Sequence, residues 1–123
     1  MASCRILVAD DDRMLRTLLA HKLKKIPCDV VEAPDGKQAL DILAREQIDL
    51  VILDGMMPVM DGLTAARAIR DNSQWTKLPI VMLTAKAMPD DQQKCIDAGA
   101  NDYMAKPIDV DKLLSLVRVW MPR

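Results

Sequence analysis

Short apolar runs of strand length recur along the chain and alternate with segments of helical length. The runs are Ile6–Ala9, Val30–Val31 with Ala33, Leu50–Leu53, Ile80–Leu83 and a weaker Tyr103–Ala105. Each is too short for an ordinary helix, and each is continuously apolar, as in strands that are buried on both faces. The pattern therefore predicts five buried strands.

The segments between these runs carry apolar residues at helical spacing. The sets that mark one face of a helix are Leu15, Leu19 and Leu23; Ala39, Leu40 and Leu43; Leu63, Ala66 and Ile69; and Leu113, Leu116, Val117 and Trp120. A further helix over about Asp90 to Asp97 has the weakest apolar face, and Gly99 suits its C-terminal stop. Five helices are thus predicted.

A strand followed by a helix, repeated five times, is typical of a parallel sheet that is covered by helices. Right-handed crossovers make an open, doubly wound α/β sheet the natural architecture, with the flavodoxin-like (βα)5 strand order 2-1-3-4-5. The chain has 123 residues, which is enough for one ordinary domain with a real core. We therefore predict a single domain over residues 1–123.

Composition changes this picture little. Half of the residues are apolar, 28% are charged and the net charge is −1, so bulk charge gives no reason to bind nucleic acid or an anionic membrane. The chain contains no stretch long enough for a signal-peptide core or a membrane span, which favours a cytoplasmic protein. Its cysteines, Cys4, Cys28 and Cys95, are odd in number and lack a CxxC pair. We expect reduced thiols rather than a disulfide or a zinc cluster.

The first strand raises a question of charge, because ILVADDD at residues 6–12 ends an apolar run with three consecutive aspartates. Two like charges about 4 Å apart repel by roughly 4 kcal/mol at an effective dielectric near 20, so a nearby cation is expected. In a doubly wound sheet the working site lies beyond the carboxyl ends of the strands. The polar residues predicted at those ends are Asp10 and Asp11, Asp54, Thr84 and Lys106.

These side chains suit one kind of chemistry. Three carboxylates around an open crevice favour Mg²⁺, with Mn²⁺ as an alternative ion, because such ions take oxygen ligands and keep several waters. An aspartate can attack phosphorus to form an aspartyl phosphate while a metal and a lysine neutralise the phosphoryl oxygens. Lys106 fits that role, and the Thr84 hydroxyl can donate to a phosphoryl oxygen. Asp12 is expected to cap the helix that begins at Arg13.

The motifs together resemble a known family, the receiver domain of two-component response regulators, and are similar to its single-domain chemotaxis regulator. The matching pieces are ILVADDD, VILDGMMPVMDG, PIVMLTAKA and AGANDYMAKPI, in that order. Each piece alone is weakly specific, but their order and combination are highly specific. The resemblance covers essentially the whole chain.

The resemblance implies a role for each matching residue. Asp54 would be the phosphoryl acceptor. Asp10 and Asp11 would hold Mg²⁺ with Asp54, Asp11 more directly and Asp10 partly through water. The backbone carbonyl of Met56 would complete the protein ligands.

It also implies a switch. Thr84 would be the switch hydroxyl, Tyr103 the aromatic that changes rotamer with it, and Lys106 the phosphate-binding cation. Lys106–Pro107 would be a cis peptide, which X-Pro bonds adopt at low cost. For Tyr103 the alternative of a half-buried core aromatic stays open.

The resemblance implies a signalling cycle rather than turnover of an external substrate. A histidine kinase or a histidine phosphotransfer protein would supply the phosphoryl group from phosphohistidine, and hydrolysis would later remove it. Phosphorylation would relax the AKAMPDD segment, residues 85–91, and change the face made by helix 4, strand 5 and helix 5. That face would contact a downstream protein. The chain would act as a stand-alone regulator or as one receiver of a hybrid kinase.

The main rival is a small phosphatase of the haloacid dehalogenase type. It would use Asp10 as nucleophile and Asp12 as acid/base, but Met14 stands where that family has Thr or Val, and Asp54 would have no role. A flavin or nucleotide binder of the same architecture is disfavoured because three aspartates repel phosphate. A scaffold without phosphorylation is disfavoured because the site residues are intact. The identity of the phosphorylated aspartate separates the receiver from the phosphatase: Asp54 for the receiver, Asp10 for the phosphatase.

Overall fold

Five strands form one parallel sheet in the computed structural model, which describes residues 4–84 and 89–121. The strands are β1 (Arg5–Ala9), β2 (Asp29–Ala33), β3 (Leu50–Asp54), β4 (Ile80–Thr84) and β5 (Asp102–Ala105). Their order across the sheet is β2-β1-β3-β4-β5, and the four neighbouring pairs are parallel. The predicted α/β architecture and strand order are confirmed.

Helices follow the strands as the spacing predicted. They are α1 (Arg13–Leu23), α2 (Gly36–Arg45), α3 (Gly62–Asp71), α4 (Pro89–Asp97) and α5 (Val110–Trp120). A short 3-10 turn at Ser73–Trp75 was not predicted. The helices α1, α2, α3 and α5 each begin after an aspartate whose side chain accepts backbone N–H groups, which satisfies otherwise unpaired donors. Asp12 is one of these caps, as expected.

The sheet separates two apolar layers because successive strand residues point to opposite faces. Leu7 and Leu53 lie in the layer that includes α2, α3 and α4, whereas Val8 and Ile52 lie in the layer that includes α1 and α5. Every residue of β3 and β4 is buried. The continuous apolar runs of the sequence are thus explained by burial on both faces.

Helix α4 is the least apolar of the five, in agreement with its weak pattern. Among the α4 side chains that the structure describes, Cys95 is the buried apolar one, and Ala98 joins it just beyond the helix. Gly99 then adopts a φ of 103°, a conformation that glycine accepts without steric cost and that ends the helix. Residues 85–88 of the predicted AKAMPDD loop lie outside the described residues.

The expectation of three reduced cysteines was wrong. Cys4 and Cys28 are joined by a disulfide with a Cα–Cα distance of 4.9 Å, and Cys95 is free and buried. The reason is the strand register, which pairs Arg5 with Asp29 and so places the two preceding residues side by side. Sequence spacing alone did not reveal this register.

Among the helices of the described residues, none is both long and apolar enough to cross a membrane.

The disulfide should stabilise the fold, because it closes a loop with a sequence separation of 24 and so restricts the unfolded chain. We expect Cys28→Ser to lower the free energy of unfolding by about 2–4 kcal/mol relative to the oxidised wild type. Urea unfolding with and without reductant measures this difference. Reductant should bring the wild type to the level of the variant, and a wild-type curve that ignores reductant would contradict the assignment.

Candidate functional site

Four strand ends bring the predicted polar residues to one edge of the sheet. Asp54 and Thr84 are the last residues of β3 and β4, while Asp10 and Lys106 directly follow β1 and β5. Backbone hydrogen bonds extend the pairing past the strand ends, since the Asp10 N–H donates to Ala33 O at 3.1 Å and the Lys106 N–H donates to Thr84 O at 2.7 Å. These residues are therefore placed by the sheet itself.

Three carboxylates form a cluster at this edge. One oxygen each of Asp10, Asp11 and Asp54 lies within 4.8 Å of the others. Asp10 and Asp54 are buried, at 0% and 3% exposure, whereas Asp11 is exposed. A hard cation could therefore reach this oxygen set from solvent and keep part of its water shell.

The Lys106 ammonium lies between the two buried carboxylates. Its Nζ is 3.1 Å from Asp54 Oδ2 and 3.4 Å from Asp10 Oδ2. Within the described residues, Asp10 Oδ2 has this ion pair but no assigned hydrogen-bond partner. A buried carboxylate oxygen left in this way is costly unless something else contacts it. Its position fits a metal ligand.

Backbone N–H groups fix the other oxygen of each buried carboxylate. The Asp12 N–H donates to Asp10 Oδ1 at 2.9 Å, and the Met56 N–H donates to Asp54 Oδ1 at 3.2 Å. Both donors come two residues after the acid, in the loop that leaves its strand. The rotamers of Asp10 and Asp54 are thus held so that their second oxygens face Lys106.

Burial sets the acidity of this cluster. Desolvation raises the pKa of Asp54 to about 6, and the nearby Asp10 charge adds to the rise, against opposing effects of the Met56 N–H and Lys106. Partial burial by itself would lower the pKa of Lys106, but the hydrogen bond and charge of Asp54, followed by the charge of Asp10, raise it overall. Lys106 is therefore firmly cationic at neutral pH, and Asp54 is a more basic oxygen nucleophile than an ordinary aspartate.

The loop after Asp54 requires a glycine where it turns into α3. The Gly62 N–H donates to Gly55 O at 3.2 Å, and a Cβ at Gly62 would collide with the backbone carbonyl oxygen of Asp54. This close approach gives a physical reason for the Asp61-Gly62 pair, which the sequence alone indicates only as part of a motif. Any larger residue here would displace Asp54.

The remaining predicted residues lie where the fold expectation put them. Thr84 is buried, and Tyr103 is half-buried against the apolar layer of α2, α3 and α4. The Met56 side chain is exposed, so it does not cover the carboxylate cluster. Lys106–Pro107 is a cis peptide.

Two residues near the site were missed from the sequence. Arg16, on α1, donates from Nη1 to the backbone carbonyl of Asp10 at 2.7 Å. Its only sequence signal is a basic residue one turn after the Asp12 cap. Val59, in the loop before α3, has a φ of 68° and is exposed, an unusual conformation for a β-branched residue. Nothing in the sequence pattern marked that strain.

Comparison with known proteins places this geometry in context. The family model of the response regulator receiver domain matches residues 6–118. A curated relative, response regulator MprA of Mycolicibacterium vanbaalenii, is 41% identical over 119 residues. That match covers 97% of this chain and 51% of the relative. The chain thus spans about half the length of the curated relatives it matches.

Solved structures show the same likeness. Chemotaxis protein CheY4 of Vibrio cholerae is 32% identical with a TM-score of 0.91, and the match covers 98% of this chain and 100% of that one. The receiver domain of sensor histidine kinase PA1611 from Pseudomonas aeruginosa is 34% identical with a TM-score of 0.87, over 97% of this chain and 98% of that one. The latter structure has a magnesium ion coordinated in its active-site cleft. Both likenesses extend along nearly the whole chain.

The raised pKa of Asp54 has a consequence for stability. The folded protein holds the Asp54 proton more tightly than the unfolded chain does. The protonated Asp54 therefore contributes its full stabilisation below the unfolded pKa of 3.8, and this stabilisation is lost as pH rises through the folded pKa of about 6. Without divalent ions, we expect Asp54→Asn to be more stable than the wild type near neutral pH by about 1–3 kcal/mol. Urea unfolding over a pH series measures the difference, which should shrink towards acid pH. Exposed Asp41→Asn is the matched control, and an Asp54→Asn gain that does not depend on pH would contradict the assignment.

The conformation of Val59 gives a separate expectation. A β-branched residue at positive φ costs about 1–3 kcal/mol, whereas Gly and Asn tolerate this region. We expect Val59→Gly and Val59→Asn to raise the free energy of unfolding by about 1 kcal/mol. Val59→Thr is the control, because it removes the exposed apolar group but keeps the β-branch and should give no gain. Equal effects of Asn and Thr in thermal and urea unfolding would show that the backbone strain is absent.

Proposed function

The chain belongs to the response regulator receiver domain family, and on that premise we propose that it accepts a phosphoryl group on Asp54 from a phosphohistidine. The observation that carries this proposal is the Lys106 ammonium held between the Asp54 and Asp10 carboxylates. A fixed cation beside an acceptor oxygen is what phosphoryl transfer requires, because charge develops on the phosphoryl oxygens.

Transfer forms a bond between an Asp54 carboxylate oxygen and phosphorus, and breaks the bond between phosphorus and the donor imidazole nitrogen. The bonding pair leaves with that nitrogen. Asp54 must be ionised to attack, and a pKa of about 6 leaves it mostly ionised at neutral pH while keeping it more nucleophilic than an exposed aspartate. Lys106 Nζ lies 3.1 Å from Asp54 Oδ2, where its charge would neutralise the oxygens of the incoming phosphoryl group.

Asp10, Asp11 and Asp54 are the residues that would hold Mg²⁺, with the backbone carbonyl of Met56 as a further ligand. Two observations support this assignment: Asp10 Oδ2 has no hydrogen-bond partner within the part of the chain that the structure describes, and the carboxylate oxygens are clustered. So does the magnesium ion in the cleft of the PA1611 receiver domain. When bound, a divalent ion supplies positive charge to the phosphoryl oxygens and offsets the repulsion among the carboxylates. Mn²⁺ has the same ligand preference.

Thr84 and Tyr103 are proposed to report the modification. Thr84 is the last residue of β4, which pairs with β3, so Thr84 and Asp54 lie on neighbouring strands. Tyr103 lies on β5, opposite Met82 in the pairing with β4, and is only half-buried. A phosphoryl group adds about −1.5 to −2 charges. Movement of Thr84 towards that charge would leave room for Tyr103 to turn inward.

The surface of α4, β5 and α5 is the proposed output face. A groove of about 650 Å³ runs along β5 and α5, and residues that line it include Tyr103, Met104, Leu116 and Val119. Val119 is 72% exposed, so an apolar contact is available there for a downstream protein. We propose that residues 1–123 act as one signalling domain, with a histidine kinase or a histidine phosphotransfer protein as phosphoryl donor.

The phosphatase alternative has no support in the geometry. It needs Asp12 as an acid/base, but Asp12 Oδ1 accepts from the N–H groups of Met14 and Leu15 at 3.0 and 3.3 Å. Asp10 would be its nucleophile, which would leave the buried Asp54, in contact with Lys106, without a role. The side chain that would have to serve as acid/base is thus already engaged as the cap of α1.

The test is the intact mass of the protein after incubation with acetyl phosphate, with and without Mg²⁺. We expect the wild type and the exposed-residue control Asp41→Asn to gain one phosphoryl group only with Mg²⁺. Asp54→Asn should gain none, because the acceptor oxygen is lost. A gain that persists in Asp54→Asn would refute Asp54 as the acceptor.

A further inference from the structure

Arg16 holds the loop that presents the acidic cluster. Its Nη1 donates to the backbone carbonyl of Asp10 at 2.7 Å, and its Nε donates to Glu32 Oε1 at 3.3 Å. The Arg16 side chain is 15% exposed, and Asp10 is fully buried. The guanidinium is therefore the partner of a carbonyl that water cannot reach.

These contacts link three parts of the fold. Arg16 lies on α1, Glu32 lies on β2, and Asp10 follows β1. The N–H of Asp10 also donates to Ala33 O, the residue next to Glu32. Both sides of the Asp10 backbone are thus tied to β2, one directly and one through the guanidinium.

The Asp10 carbonyl also governs Asp11. The peptide group is planar, so the carbonyl of Asp10 and the N–H of Asp11 rotate as one unit. Fixing that carbonyl fixes the direction in which the chain enters Asp11, the exposed member of the cluster. The Asp10 carboxylate is already fixed by the Asp12 N–H and by Lys106. Asp11 has no such burial to hold it, and the plane of its peptide is set from Arg16.

We propose that Arg16 is a positioning residue for the divalent-ion site, acting through the Asp10 carbonyl to aim the Asp11 carboxylate; this inference rests on the proposed function. A guanidinium suits the task because its rigid fork presents two donors in fixed directions, one to Asp10 and one to Glu32. An ammonium offers a single charged centre and cannot reproduce the fork.

The charge of Arg16 and its proposed positioning role predict opposite changes in Mg²⁺ affinity when the residue is replaced. Arg16 is a cation close to a cation site, so removing its charge alone would strengthen Mg²⁺ binding. Loss of positioning would weaken it, by about tenfold or more, which is the usual cost of losing a residue that orients metal ligands. The sign of the change in Mg²⁺ affinity therefore separates the two effects.

The experiment is a Mg²⁺ titration of the full chain followed by amide chemical shifts in NMR. Arg16→Gln should lose about tenfold in affinity, whereas Arg13→Gln, an exposed residue one turn earlier on α1, should bind as tightly as the wild type or slightly more tightly. Arg16→Lys should recover part of the loss. Wild-type or tighter binding by Arg16→Gln would overturn the proposal. If Arg16→Gln does not fold, Arg16→Lys decides in the same way, a loss supporting the proposal and wild-type affinity overturning it.

Two further measurements keep the result specific. Thermal unfolding without Mg²⁺ reports any purely structural role of Arg16, which would lower the midpoint while leaving the affinity of the folded protein unchanged, and that pattern counts against the proposal. Asp11→Asn tests the site itself. If the wild type binds no Mg²⁺, or Asp11→Asn binds like the wild type, the proposed metal site fails, and the role of Arg16 fails with it. If Asp11→Asn loses binding and Arg16→Gln does not, only the role of Arg16 fails.

Discussion

The contact of the Lys106 ammonium with two buried carboxylates is the interaction on which the rest of the site depends. Asp10 and Asp54 are almost fully shielded from water, and two carboxylates at such close range repel strongly in a low-dielectric environment. Lys106 offsets that repulsion from one side, and the proposed metal ion would offset it from the exposed side towards Asp11. The sheet makes this possible, because parallel strands deliver all of these residues to the same edge.

Several features of the proposed site lower the stability of the folded protein. Burial makes Asp54 a stronger base than an exposed aspartate, at the expense of stability once it ionises. The loop after it adds a strained Val59 and a glycine without room for a side chain. Such features persist only where the surrounding fold compensates. Here the two apolar layers provide the compensation, and Arg16 ties the first loop to β2.

Much of this could be predicted from the sequence because the signals were local. Continuous apolar runs gave the buried strands, and the rule on strand ends then brought Asp10, Asp54 and Lys106 together. The features that were not predicted depend on contacts between residues far apart in the sequence. The Cys4–Cys28 disulfide depends on the register of two strands that are separated by a helix. The contact of Arg16 depends on how α1 is turned against the sheet.

Chemical mapping of the modified residue tests the proposed phosphorylation of Asp54 most directly. Borohydride reduces an aspartyl phosphate to homoserine, so the protein can be phosphorylated with acetyl phosphate and Mg²⁺, reduced, digested and sequenced by mass spectrometry. We expect homoserine in place of Asp54 and an unchanged residue at Asp10. Homoserine in place of Asp10 would contradict Asp54 as the acceptor, because the nucleophile would then lie just after β1 rather than at the end of β3.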